Sequence, residues 1–94
     1  MYFFVKTECA RDTVDELTRK VANHEIKTPK GNISFVSPDG CFGFDIIECE
    51  SEAECRQQYA DLVNQGYCRI TEMTEPMGQF IERWKRQHPE VAAA

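Results

Sequence analysis

The sequence predicts an α+β domain in which two βαβ-like halves share a single antiparallel sheet. Three observations carry this. Strand-type and helix-type segments follow one another in the order β-α-β-β-α-β-α. The tetrapeptides Thr13-Val14-Asp15-Glu16 and Ser51-Glu52-Ala53-Glu54, each with the spacing of a capping box, follow the first and third strand segments. Ser37-Pro38-Asp39-Gly40 has the residues of a type I turn and reverses the chain between the second and third strands. A chain of 94 residues has room for one domain, read as residues 1–88, with a flexible tail at 89–94.

Each element has its own local cause. Tyr2 to Glu8 is aromatic and β-branched, and apolar on both alternating faces at first, as a central strand covered on two sides would be. Val14, Leu17 and Val21 then recur at helical spacing, and the helix should end near His24. Thr28-Pro29-Lys30-Gly31 breaks the chain before a short strand with Ile33, Phe35 and Val36. Cys41 to Cys49, with Phe42, Phe44, Ile46 and Ile47, is the most apolar strand. Cys55, Tyr59, Leu62 and Val63 give the next helix one apolar stripe, and Gly66 stops it. Tyr67 to Thr74 is diluted by Arg69, Thr71 and Glu72 and reads as an edge strand. Pro76 opens a last helix with Met77, Phe80, Ile81 and Trp84 on one stripe. This order is the ferredoxin-like split βαβ pattern plus a C-terminal helix. The strand starting at Tyr2 is expected beside the one ending at Cys49, in parallel, which would gather Glu8-Cys9 and Glu48-Cys49 at one end of the sheet.

Charge and cysteines narrow the setting. With 11 basic and 16 acidic residues, a net charge of −5 disfavours nucleic acid or an anionic membrane as partner. The apolar run Tyr2–Val5 is too short for a signal peptide, and no stretch has the length of a membrane span. Five cysteines, an odd set without C-x-x-C spacing, read as free buried thiols in a reducing compartment. The expected location is cytoplasmic, with no metal site. A domain this small buries only about 60–65% of its unfolded surface, which favours a homodimer.

Some residues could carry chemistry. Asp45 interrupts the most apolar strand, so its carboxylate either pairs with a cation, Lys6 on the adjacent strand being the nearest, or faces a ligand. His24 carries an imidazole, a side chain suited to proton shuttling, but its place at a helix end also suits a structural role. Glu8 and Glu48, if close, would form a carboxylate pair suited to acid–base work; both also precede helix starts, where carboxylates are favoured. Tyr2, Phe4, Phe42 and Phe44 form either an aromatic wall for a flat ligand or ordinary core.

The tract Gly31 to Ser37, Gly43-Phe44-Asp45-Ile46-Ile47-Glu48, Tyr59-Ala60-Asp61-Leu62 and Glu75-Pro76 resemble the dimeric α/β-barrel superfamily, in particular its short uncharacterised bacterial members. The resemblance spans residues 2 to 76, and its motifs are structural. It implies two ferredoxin-like subunits with sheets face to face and a ligand cavity between sheet and helices in each; relatives include isomerases, cyclases and cofactor-independent monooxygenases. The expected function is therefore binding of a small apolar or aromatic metabolite without a cofactor, with cofactor-independent isomerisation or cyclisation as the chemistry. Asp45 or His24 would be the base, and Tyr2, Phe4, Lys6, Phe44 and Glu48 would line the site. The competing expectation is a non-catalytic dimeric assembly or regulatory module.

Overall fold

The computed structural model describes residues 1–30 and 33–92. Gly31, the last residue of the expected chain break, Asn32, and the terminal Ala93 and Ala94 lie outside the described residues. The elements are β1 (Tyr2–Cys9), a 3-10 turn (Arg11–Thr13), α1 (Val14–Ala22), β2 (Ile33–Val36), β3 (Phe42–Glu48), α2 (Glu52–Gln57), α3 (Ala60–Asn64), β4 (Cys68–Thr74), α4 (Met77–Gln87) and α5 (Pro89–Ala92). The fold is α+β with one four-stranded sheet, ordered β2-β3-β1-β4, every neighbouring pair antiparallel.

That pairing corrects the expected direction of β1 and β3. They are neighbours, but antiparallel, with Tyr2 opposite Glu48 and Glu8 opposite Phe42. Strands joined through a helix keep one direction, and here those are the second neighbours β1 and β2, and β3 and β4. Between β1 and β3 the chain makes one crossover and one hairpin, so its direction reverses. Glu8 and Glu48 consequently sit at opposite ends of the sheet, and no carboxylate pair forms between them.

Local signals hold where their hydrogen bonds are local. The Gly40 N–H donates to Ser37 O at 2.8 Å, closing the expected turn with Gly40 at φ +79°. Ser51 caps α2 by accepting the Glu54 N–H at 3.1 Å, while the Glu54 carboxylate accepts from Glu50 N at 2.7 Å. Gly66, at φ +78°, follows α3 in the left-handed conformation of a helix stop. The Thr13 capping box, by contrast, does not form. Thr13 ends a 3-10 turn, and its hydroxyl donates to Ala10 O at 2.8 Å. The single helix expected after Ser51 is broken at Gln58-Tyr59 into α2 and α3. The expected tail contains a helical turn, α5.

α1, α2 and α3 cover one face of the sheet. Phe3, Val5 and Ile47 point into that side and meet Cys55 of α2, Tyr59 at the break, Leu62 of α3, and Ile26 and Tyr67. Thr7 faces the same way opposite Gly43, where any Cβ would come within 2.5 Å of the Thr7 hydroxyl, so only glycine lets β1 and β3 close there. A disulfide joins Cys9 to Cys68 across the β1–β4 register. This corrects the free-thiol reading for those two residues; Cys41, Cys49 and Cys55 are free and buried. The bridge spans a sequence separation of 59, and a closure of that length stabilises by about 2–4 kcal/mol. No described helix is long and apolar enough to cross a membrane.

Candidate functional site

Strand alternation sends the even-numbered residues of β1 and β3 to the face that no helix covers. There Phe4 lies opposite Ile46, Lys6 opposite Phe44, and Tyr2 opposite Glu48. β2 adds Ile33 beside Ile46 and Phe35 beside Phe44. In β4 the register shifts between Lys6 and Thr7, which brings Glu72 and Thr74 to the same side as Lys6 and Phe4. The result is an apolar sheet surface with Phe4 48%, Phe44 44% and Phe35 62% exposed. A depression of about 200 Å³ lies at its centre, and Phe4, Lys6, Phe35, Phe44, Ile46 and Glu72 are among its lining residues.

Five sequence-predicted residues, Tyr2, Phe4, Lys6, Phe44 and Glu48, therefore share one face, and Phe42 completes the aromatic row. None of these aromatics is in the core. The Lys6 ammonium lies 5.6 Å from the Phe42 ring centroid and 5.8 Å from that of Phe44, a cation–π position leaning away from Glu72 on β4. Tyr2 is held above the usual phenol pKa, chiefly by its hydrogen bond to Glu48 and by that carboxylate's charge.

Asp45 is on the other face. Its odd position turns it toward the helices, opposite in direction to Lys6, so the expected Lys6–Asp45 pair does not form. Its partner is Tyr59, whose hydroxyl donates to Asp45 Oδ2 at 2.6 Å. Burial first, and then the Asp45 hydrogen bond, push the Tyr59 phenol far above its ordinary pKa, so it stays a neutral donor. His24 is exposed just after α1 and lies outside both sheet faces. It adopts a left-handed φ of +58°, and its N–H donates to Val21 O at 3.1 Å, which makes it a backbone terminator of the helix. The buried thiols are poor nucleophiles: burial raises Cys49 and pushes Cys55 up to about 12.

Sequence reading missed Phe35, Ile46, Glu72 and Thr74 as members of the face, and Tyr59 as the partner of Asp45. The signal for Phe35 and Ile46 was present in the alternation of β2 and β3. For Glu72 and Thr74 it was hidden by the irregularity in β4, which changes which parity faces out. Among the described residues, no group of histidine, cysteine or carboxylate side chains has the arrangement to hold a metal ion. Comparison with protein-family models, with curated proteins and with solved structures finds no match to this chain, so a functional reading has to come from the residues themselves.

Proposed function

We propose that the chain is a self-association module, a homodimer of ferredoxin-like subunits whose working surface is the open face of the sheet. The observation that carries this is how the apolar side chains divide. The helix side is filled by Phe3, Val5, Ile47, Tyr59 and Leu62, while Phe4, Phe35 and Phe44 remain exposed on the other side. A continuous apolar patch on a small domain marks an interaction surface, and covering it supplies burial that 94 residues lack on their own. The strand order, with each helix-crossed pair as second neighbours, supports the ferredoxin-like assignment. The resemblance to dimeric α/β barrels supports association through this face. Asp45 is engaged by Tyr59 and His24 serves a helix end, which weakens the case for either as a catalytic base. Three free buried thiols favour the cytoplasm, whereas the Cys9–Cys68 bridge weighs against it.

One observation favours a second reading, binding of a small apolar or aromatic acid. The depression of about 200 Å³ has aromatic walls and one ammonium, that of Lys6, placed to meet a carboxylate. Sedimentation equilibrium with thermal-shift measurement separates the two. Self-association predicts a homodimer at micromolar concentration that Phe44→Asp converts to a folded monomer. A wild-type monomer, together with stabilisation by aromatic carboxylates that Lys6→Met abolishes, would replace it with the ligand reading.

A further inference from the structure

Three of the five cysteines are aligned across the sheet. The β1–β3 register runs to Glu8 opposite Phe42 and continues by one pair, where Cys9 N donates to Cys41 O at 2.7 Å. On its other side Cys9 lies opposite Cys68 and is bridged to it. The order across the strands is therefore Cys41, Cys9, Cys68. Directly opposed residues of an antiparallel sheet point to the same side. Cys9 has the parity of Phe3 and Val5, so the row is on the helix side.

Cys9 thus has two possible partners. Opposed residues of a hydrogen-bonded pair have Cα atoms about 5.5 Å apart, within the roughly 4.4–6.8 Å that disulfides span. A thiolate attacks a disulfide sulfur from the side opposite the leaving sulfur. The row supplies that line, because Cys41 approaches Cys9 from the β3 side and Cys68 departs on the β4 side.

The two ends of the row differ in environment. Cys41 is buried, with its N–H bonded to Asp39 Oδ1 at 3.0 Å and its thiol donating to Asp39 O at 3.9 Å. Burial first, and then the Asp39 charge, hold this thiol above its ordinary pKa, with Arg11 opposing and Glu8 adding to the rise. Cys68 is only partly buried. With Cys9 it lines a depression of about 500 Å³ to which Glu8, Val63, Tyr67 and Arg69 also contribute.

We propose that Cys41, Cys9 and Cys68 form a thiol–disulfide exchange site, in which the bridge moves from Cys9–Cys68 to Cys41–Cys9 and a free thiol moves from the buried end of the row to the exposed one. The Cys41 thiol gives its proton to solvent, and the thiolate attacks Cys9 Sγ. As the Cys41–Cys9 bond forms, the Cys9–Cys68 bond breaks, its electron pair leaves with Cys68 Sγ, and that thiolate takes a proton from solvent. One disulfide and one thiol stand on each side of the reaction, so no outside oxidant or reductant is consumed. The raised pKa of Cys41 makes its thiolate scarce at neutral pH. Proximity offsets this, because an intramolecular attack has an effective concentration far above that of a dissolved thiol. The product presents a thiol in the depression, whereas the three free thiols of the starting isomer are all buried. The open sheet face takes no part, so the inference is independent of the self-association reading.

Trapping the released thiol tests this. The oxidised chain, incubated with iodoacetamide and digested without reduction, is expected to carry label on Cys68 together with a Cys9–Cys41 bridge, both read by mass spectrometry. The rate should be independent of protein concentration, independent of reagent once trapping outruns exchange, and rise about tenfold per pH unit below the Cys41 pKa. Cys55, 0% exposed, reports global unfolding and should stay unlabelled over the same time. Cys41→Ser should slow labelling of Cys68 by about 100-fold and leave the Cys9–Cys68 bridge in place. If that variant does not fold, Cys41→Ala makes the same comparison, and the wild-type map needs no variant. Label on Cys41 beneath an intact Cys9–Cys68 bridge, label reaching Cys68 and Cys55 at one rate, or Cys68 labelling undiminished in Cys41→Ser would each overturn the exchange. So would a chain that takes up no label at alkaline pH.

Discussion

Phe3 and Phe4 are neighbours in one strand and chemically identical, yet Phe3 is 3% exposed and Phe4 48%. Ile47 and Ile46 repeat the contrast on β3, one sealed beneath the helices and the other on the open face. The sequence treats the two faces almost alike, since both carry aromatic and branched side chains at strand spacing. What separates them is that α2 and α3 lie over one side while no described helix covers the other. The lesson is that the apolar residues of this sheet fall into two sets: one folds the chain, and the other stays exposed on the open face.

The comparison is tested most strongly by paired truncations. Ile47→Ala removes a fully buried side chain and is expected to cost about 2–5 kcal/mol in urea unfolding. Ile46→Ala, one residue away, should change monomer stability by less than about 1 kcal/mol and weaken association instead. Equal losses at the two positions would mean the faces are not divided in this way.

A smaller effect is expected where the covered face holds its polar pair. Tyr59→Phe leaves the half-buried Asp45 carboxylate without its donor and should cost about 1–3 kcal/mol, while Asp45→Asn, which can still accept the bond, should cost about 1 kcal/mol. Neither should alter the dimer dissociation constant or any ligand response. If Asp45→Asn instead changed ligand binding at unchanged melting temperature, Asp45 would return as a site residue.

The smallest expected effect is at the start of α4. Arg83, through its hydrogen bonds, is the main cause that holds Glu75 below its ordinary pKa of 4.5; Gln79 adds to this, and burial opposes it. A carboxyl depressed in the folded state stabilises fully above its unfolded pKa, and the contribution fades as pH falls through the folded value. The anchorage of α4 through Gln79 and Arg83 should accordingly be intact at neutral pH and loosen only below pH 4.5, seen as a Trp84 emission change that Glu75→Gln removes from the acid range.

The sequence by itself determined the elements whose causes lie within a few residues: the alternation of β1 and β3, the Ser37–Gly40 turn, the Ser51 cap, the Gly66 stop and the Pro76 helix start. The hydrogen bonds of the turn, the cap, the stop and the helix start close over three or four positions, and strand alternation is set by successive residues, so the causes are adjacent on the page. That Tyr2, Phe4 and Lys6 share one face of β1 was legible for the same reason, because parity along one strand is a local property. Tertiary structure alone decided which parity is buried, because that depends on the side of the sheet to which the helices return. It decided that β1 and β3 run antiparallel, which follows from the number of reversals between them and from no residue in either. It paired Asp45 with Tyr59 in place of Lys6, since a side chain can bond only across the face it points to. It brought Cys9 to Cys68 across a sequence separation of 59, and it left the stripe of α4 exposed because the docking of a helix depends on the surface near its start as well as on its own stripe.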